Sequence, residues 1–166
     1  QGEIYDKVDK VVKRGFRSPN VHHHRGGKLP PYAHVKPNRT LDLVKRLKDD
    51  NLLPCIYFAF SRKRTQYLAE EMHGFDFLNA DEKKRIVSLY DELCAKYDLT
   101  ADGRTEDMKS LISRGIGYHH AGMLPTLKEV IEQLFTTRLL KMIFTTETFA
   151  LGINMPARSV VFDELR

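Results

Sequence analysis

Three short polar clusters hold the residues best suited to chemistry: Ser61-Arg62-Lys63, His119-His120-Ala121-Gly122 and Thr145-Thr146-Glu147. Together they offer hydroxyls, cations, small residues that let a backbone come close, and openings onto helices whose first N–H groups lack intrahelical partners. Those are the groups that hold phosphate oxygens. Each cluster also has a plainer reading, with Ser61 as a helix cap, Gly122 as a turn and the threonines as strand-end residues. Placement is what sets them apart. Each follows a predicted strand, and in a parallel α/β sheet the C-terminal strand ends share one edge, where ligands bind.

The elements that must position these clusters can be read from apolar spacing. Leu41, Val44 and Leu47 predict a short amphipathic helix. Leu53–Phe60 reads as a buried strand rich in aromatic and branched residues, with Pro54 fitting only near its start. Ser61 stands as the cap of a helix over Arg62–Met72, and a second helix covers Asp81–Tyr97 with Ile86, Leu89, Tyr90 and Leu93 on one face. Asp102-Gly103 marks a turn, and Met108, Leu111 and Ile112 a short helix. Ile116–His119 is a brief strand. Pro125 opens a helix whose stripe is Leu127, Val130, Ile131, Leu134 and Phe135. Leu139–Phe144 and Ser159–Phe162 complete the strands. Strands alternating with helices predict a three-layer fold, a parallel sheet with helices on both faces. No internal repeat is evident.

The chain has 166 residues, 42% of them hydrophobic and 30% charged, which suits a soluble globular domain and excludes a disordered tail. Its longest apolar run, Leu52–Phe60, is too short to cross a bilayer, so no membrane association is expected. Cys55 and Cys94 cannot build a disulfide framework. Cys55, inside an apolar run, reads as a core residue, and a reducing, cytoplasmic setting follows. The net charge of +5 suits a polyanionic partner. Residues 1–39, basic and rich in Pro and Gly, are expected to be an extended inter-domain segment, and residues 40–166 the domain proper. Gln1 in place of Met, and an end at Arg166 straight after a strand, read as cuts in a longer chain.

Two sequences imitate nucleotide-site parts. Gly26-Gly27-Lys28 has Leu29 where a phosphate loop needs Ser or Thr for magnesium, lacks the upstream glycine and follows no strand. Val160-Val161-Phe162-Asp163-Glu164 resembles a magnesium-holding strand but has no phosphate loop to complete, so a solvated strand end is expected. His22-His23-His24 with His34 lack a cysteine or carboxylate at ligand spacing, so no metal site is expected. No nucleophile and base can be paired from sequence.

Longer stretches carry a resemblance. Gly117-Tyr118-His119-His120-Ala121-Gly122-Met123-Leu124-Pro125 and Thr145-Thr146-Glu147-Thr148-Phe149-Ala150-Leu151-Gly152-Ile153-Asn154-Met155-Pro156-Ala157 are similar to motifs of the superkiller-like, exosome-associated DExH group of superfamily-two helicases. Cys55 to Arg64 resembles the same family's motif IV, and the order and spacing of the three match over residues 40–166. The resemblance implies the second RecA-like domain of an ATP-dependent helicase, with ATP and magnesium held mainly by a first RecA-like domain of the same parent chain. By matched position it implies that Ser61, Arg62, Lys63, His120, Gly122, Thr146 and Glu147 contact a single-stranded nucleic acid. It likewise implies that Gly152 and Asn154 face the nucleotide, Asn154 near the ribose.

That assignment has a physical logic. A translocating protein must hold any sequence, so it binds phosphate and sugar and ignores base edges. A motif with Thr146 on phosphate and Gly152 and Asn154 on nucleotide can couple the two sites. The plainer reading of Gly152-Ile153-Asn154 is a turn between strands. The arginine-rich motif VI expected after Arg166 is outside the sequence, and losing such an arginine costs roughly 10³ in rate. The isolated chain is therefore expected to be catalytically inactive, with no catalytic residue of its own. RNA is the expected substrate from the wording of the Thr145–Phe149 stretch. A DNA-repair helicase and a non-enzymatic interaction module with a helicase fold are the open alternatives.

Overall fold

A computed structural model describes residues 39–100, 103–146 and 156–163. The chain divides between Asn51 and Leu52 into two units. The described part of the first, residues 39–51, is helix α1 (Arg39–Asp49) and the turn after it, and the helix buries Thr40, Leu43, Val44 and Leu47 at helical spacing. Arg46 and Lys48 lie in its last turn, where cations complement the helix dipole. The expected extended segment otherwise lies outside the described residues, as do the four histidines at 22–24 and 34.

The second unit runs β1 (Cys55–Phe58), α2 (Arg62–Glu71), a 3₁₀ turn (Met72–Gly74), α3 (Ala80–Lys96), α4 (Gly103–Ile112), β2 (Ile116–His119), α5 (Pro125–Thr136), β3 (Met142–Thr145) and β4 (Ser159–Phe162). The four strands form one sheet in the order β2-β3-β1-β4, and every pairing is parallel. β2 and β3 are buried at all four positions. Successive side chains of a strand point to opposite faces, so both faces of the sheet are covered there and the three-layer expectation holds. α2 packs on β2 and β3, α4 and α5 pack on β2, and α3 packs on α4 and α5. β4, at the edge, buries only Ser159 and Val161.

Local chemistry explains the element ends. Asn79 and Glu82 form a reciprocal capping box at the start of α3, satisfying two otherwise unpaired N–H groups. Pro125 occupies the first turn of α5, and the whole predicted stripe of that helix is buried. Gly103 begins α4; the turn expected with Asp102 lies in part outside the described residues. Gly115, at φ +80° just before β2, is a position only glycine takes without strain. Cys55 is fully buried, and burial pushes its thiol well above the ordinary range, as a core residue requires. Among the described residues no helix is long and apolar enough to cross a membrane.

Two strands are shorter than expected. β1 spans Cys55–Phe58 rather than Leu53–Phe60, and β3 spans Met142–Thr145 rather than Leu139–Phe144. Leu139 and Leu140 are buried without a strand ladder. The chain turns into β3 only where Lys141 and Met142 both donate their N–H to the carbonyl of Gly115 (2.7 and 3.0 Å).

Candidate nucleic-acid interface

The register aligns the four strand ends. His119 pairs with Thr145, Thr145 with Phe58, and Phe58 with Phe162. The ladder continues one residue further: Ala59 donates to the Thr145 carbonyl (2.9 Å), Thr146 to the His119 carbonyl (3.3 Å) and Asp163 to the Phe58 carbonyl (2.7 Å). The loops that leave these strands therefore start at adjacent ladder spacings on one rim, as the three polar clusters required.

At the rim Ser61 caps α2, its hydroxyl accepting the Arg64 N–H at 3.1 Å. Arg62 and Lys63 are exposed on the first turn of α2. The side chain of Arg62 lies across Gly122, since a methyl group at Gly122 would stand 3.2 Å from both Cδ and Nη1 of Arg62. That close approach joins the first cluster to the second, and a side chain at Gly122 would have to push aside the end of Arg62. His120 is half-buried. Its Nδ1 accepts the Gly122 N–H at 3.1 Å, and its ring stacks on Tyr118 with centroids 5.8 Å apart. Thr146 is half-buried at the end of β3. Glu147, Gly152 and Asn154 lie outside the described residues.

Two polar clusters that sequence reasoning missed hold this rim in shape. Asp163 was expected to be a solvated strand end, and the structure overturns that. Its carboxylate accepts from Tyr57 Oη (2.9 Å), Arg64 Nε (2.8 Å) and Arg64 Nη2 (3.4 Å), and only 10% of its side chain is exposed. The hydrogen bond to Asp163 pushes the Arg64 guanidinium further up, locking in its charge. This ion pair ties the beginning of α2, and so the Ser61-Arg62-Lys63 turn, to the residue after β4. The second cluster centres on His119, 1% exposed, whose Nε2 stands 3.1 Å from Glu132 Oε1 on α5 and whose Nδ1 stands 3.4 Å from Thr145 Oγ1 on β3. Glu164, beside Asp163, lies outside the described residues.

No protein-family model matches the chain. Among individual proteins it is 41% identical to the human "Exosome RNA helicase MTR4" over 132 residues, which is 78% of this chain and 13% of that protein. It is also 41% identical to the human "Superkiller complex protein 2" over 129 residues, 76% of this chain and 10% of the relative. The "Antiviral helicase SKI2" of Saccharomyces cerevisiae is 38% identical over 127 residues, 75% of this chain and 10% of the relative. The chain thus spans about a tenth of the length of the curated relatives it matches. Identity at this level over three quarters of the chain, on a parallel α/β sheet with its polar loops gathered on one rim, means that the chain belongs, as a RecA-like domain, to the superkiller-like DExH group of superfamily-two helicases.

Proposed function

We propose that this chain is the second RecA-like domain of an ATP-dependent RNA helicase or translocase and that its strand-end rim grips the backbone of a single strand. The observation that carries the reading is the alignment of the Phe58, His119 and Thr145 strand ends, which puts Arg62, Lys63, His120, Gly122 and Thr146 on one edge. Ser61 contributes as the cap that orients the first turn of α2, and Glu147, next to Thr146 in the sequence, is assigned to the same grip. Cations, hydroxyls and main-chain N–H groups on that edge bind phosphate and sugar without reading bases. RNA as the strand, and ATP as the fuel, draw support from the relatives' names, among them the "DExH-box ATP-dependent RNA helicase DExH11" of Arabidopsis thaliana.

In this reading ATP and magnesium sit mainly on the first RecA-like domain of the parent chain, and Gly152 and Asn154 add contacts from across the cleft. The present 166 residues contain no phosphate loop, so alone they bind strand but do not turn over ATP. The site of action is the cytoplasm, in keeping with two unpaired, buried cysteines.

Fluorescence anisotropy with a labelled single-stranded oligonucleotide, at roughly 50 and 200 mM salt, tests the grip. The expected result is weak binding whose log affinity falls linearly with log salt and is the same for different base sequences. Binding that ignores salt, or that selects one sequence, overturns the proposal.

A further inference from the structure

Beside the rim, outside β2, two adjoining cavities open between α2 and α4. The larger is about 510 Å³ and the smaller about 150 Å³, and they share Gln66, Asp107 and Tyr118. The larger is within the range of ligand sites. It is lined by three carboxylates, Glu70, Glu106 and Asp107, against one guanidinium, Arg114. Arg114 is already engaged, donating from Nη1 to the carbonyls of Met72 (2.9 Å) and Phe75 (3.3 Å).

Tyr118 supplies the observation that points to a ligand. The residue is only 9% exposed, yet its hydroxyl makes no hydrogen bond within the described residues. No fully occluded side-chain oxygen or nitrogen among those residues lacks a partner. The Tyr118 hydroxyl is therefore reached from the cavities it lines. Burial, followed by the nearby carboxylates of Glu70 and Asp107, pushes its phenol up, so it stays a neutral hydroxyl at physiological pH. Because Tyr118 lines both cavities, that hydroxyl is open to a group that enters either of them.

The chemistry of the lining selects that partner. Three carboxylates, the Gln66 amide oxygen and the Tyr118 oxygen outnumber the two guanidiniums, Arg114 in the larger cavity and Arg104 in the smaller, and give an excess of acceptors. The net negative lining disfavours phosphate, which separates this place from the basic rim next to it. A planar group that only donates, with five N–H bonds and a face able to lie on an aromatic ring, satisfies such a lining best. We propose that this acidic notch is a docking site for an arginine side chain presented by a protein partner. It goes beyond the strand-gripping reading and does not depend on it.

The test is an NMR titration of the ¹⁵N-labelled chain with N-acetyl-arginine amide, and separately with N-acetyl-norleucine amide, agmatine and AMP. The arginine amide is expected to shift the Gln66, Asp107 and Tyr118 amide resonances saturably, while norleucine amide leaves them unmoved. Asp107→Asn, at an exposed position on α4 that the fold tolerates, is expected to weaken this binding about tenfold, the usual scale for losing a charged hydrogen bond. Tyr118→Phe is expected to weaken it several-fold, and Asp107→Asn to leave oligonucleotide binding unchanged. Absence of saturable shifts, indifference to Asp107→Asn, or a stronger response to AMP would overturn the proposal. Binding of agmatine without the capped amino acid would overturn the protein origin of the guanidinium.

Discussion

At the β1–β4 end of the rim, the loop after the sheet is held by charge: Asp163 bonds Arg64 and Tyr57 in a cluster where Arg64 is still 26% exposed. At the β2–β3 end the corresponding loop is held by a buried imidazole, His119, wedged between Thr145 and Glu132. The first anchor leaves Arg62 and Lys63 free to face solvent from a partly wet ion pair. The second leaves His120 and Gly122 beside a residue sealed in the core. A partly solvated ion pair contributes modestly and gives way to water when broken, whereas a sealed hydrogen-bonded ring also fills volume. The two ends should therefore fail differently.

The largest effect is expected at the sealed end. His119→Ala removes a fully packed ring and strips Glu132 of its partner, and we expect a loss of about 3 kcal/mol in urea unfolding. An unchanged midpoint would show that the imidazole is not an anchor. Asp163→Ala, at the wetter end, should cost about 2 kcal/mol, because the freed Arg64 can still turn to water. If it costs more than His119→Ala, the ranking of the two anchors is reversed. Gly122→Ala is the smallest change. Its methyl group would press on the flexible end of Arg62 and on His120 at 3.2 Å. We expect stability to move by no more than about 0.5 kcal/mol, with oligonucleotide binding weakened a few-fold in anisotropy. A stability loss without a binding loss would make Gly122 a folding residue only.

The same contrast explains what could be read before the structure. The strand ends at His119 and Phe162, the cap at Ser61, Pro125 at the head of α5 and that helix's full stripe were legible because they depend on neighbours within a few positions. Placing the three clusters on one edge followed from the alternation of strands and helices alone. The start of β3 was not legible, since a buried apolar pair such as Leu139-Leu140 has the same periodicity in a turn as in a strand. Nor was Asp163. Beside Glu164 it looked like a solvated end, and its partners Arg64 and Tyr57 lie 99 and 106 positions away. Tyr118 stands out in the sequence only as part of a motif, because a missing hydrogen bond leaves no trace there.

Asp163 lies outside every strand and helix, yet its carboxylate reaches β1 and α2 and its N–H reaches the last carbonyl of β1. Three pieces of backbone are thus pinned at a single residue. While the Asp163–Arg64 pair holds, the Arg62-Lys63 turn and the end of β4 share one anchor, so the position of the one bears on the aim of the other. Exchanging that one carboxylate would loosen the strand end and the helix start together.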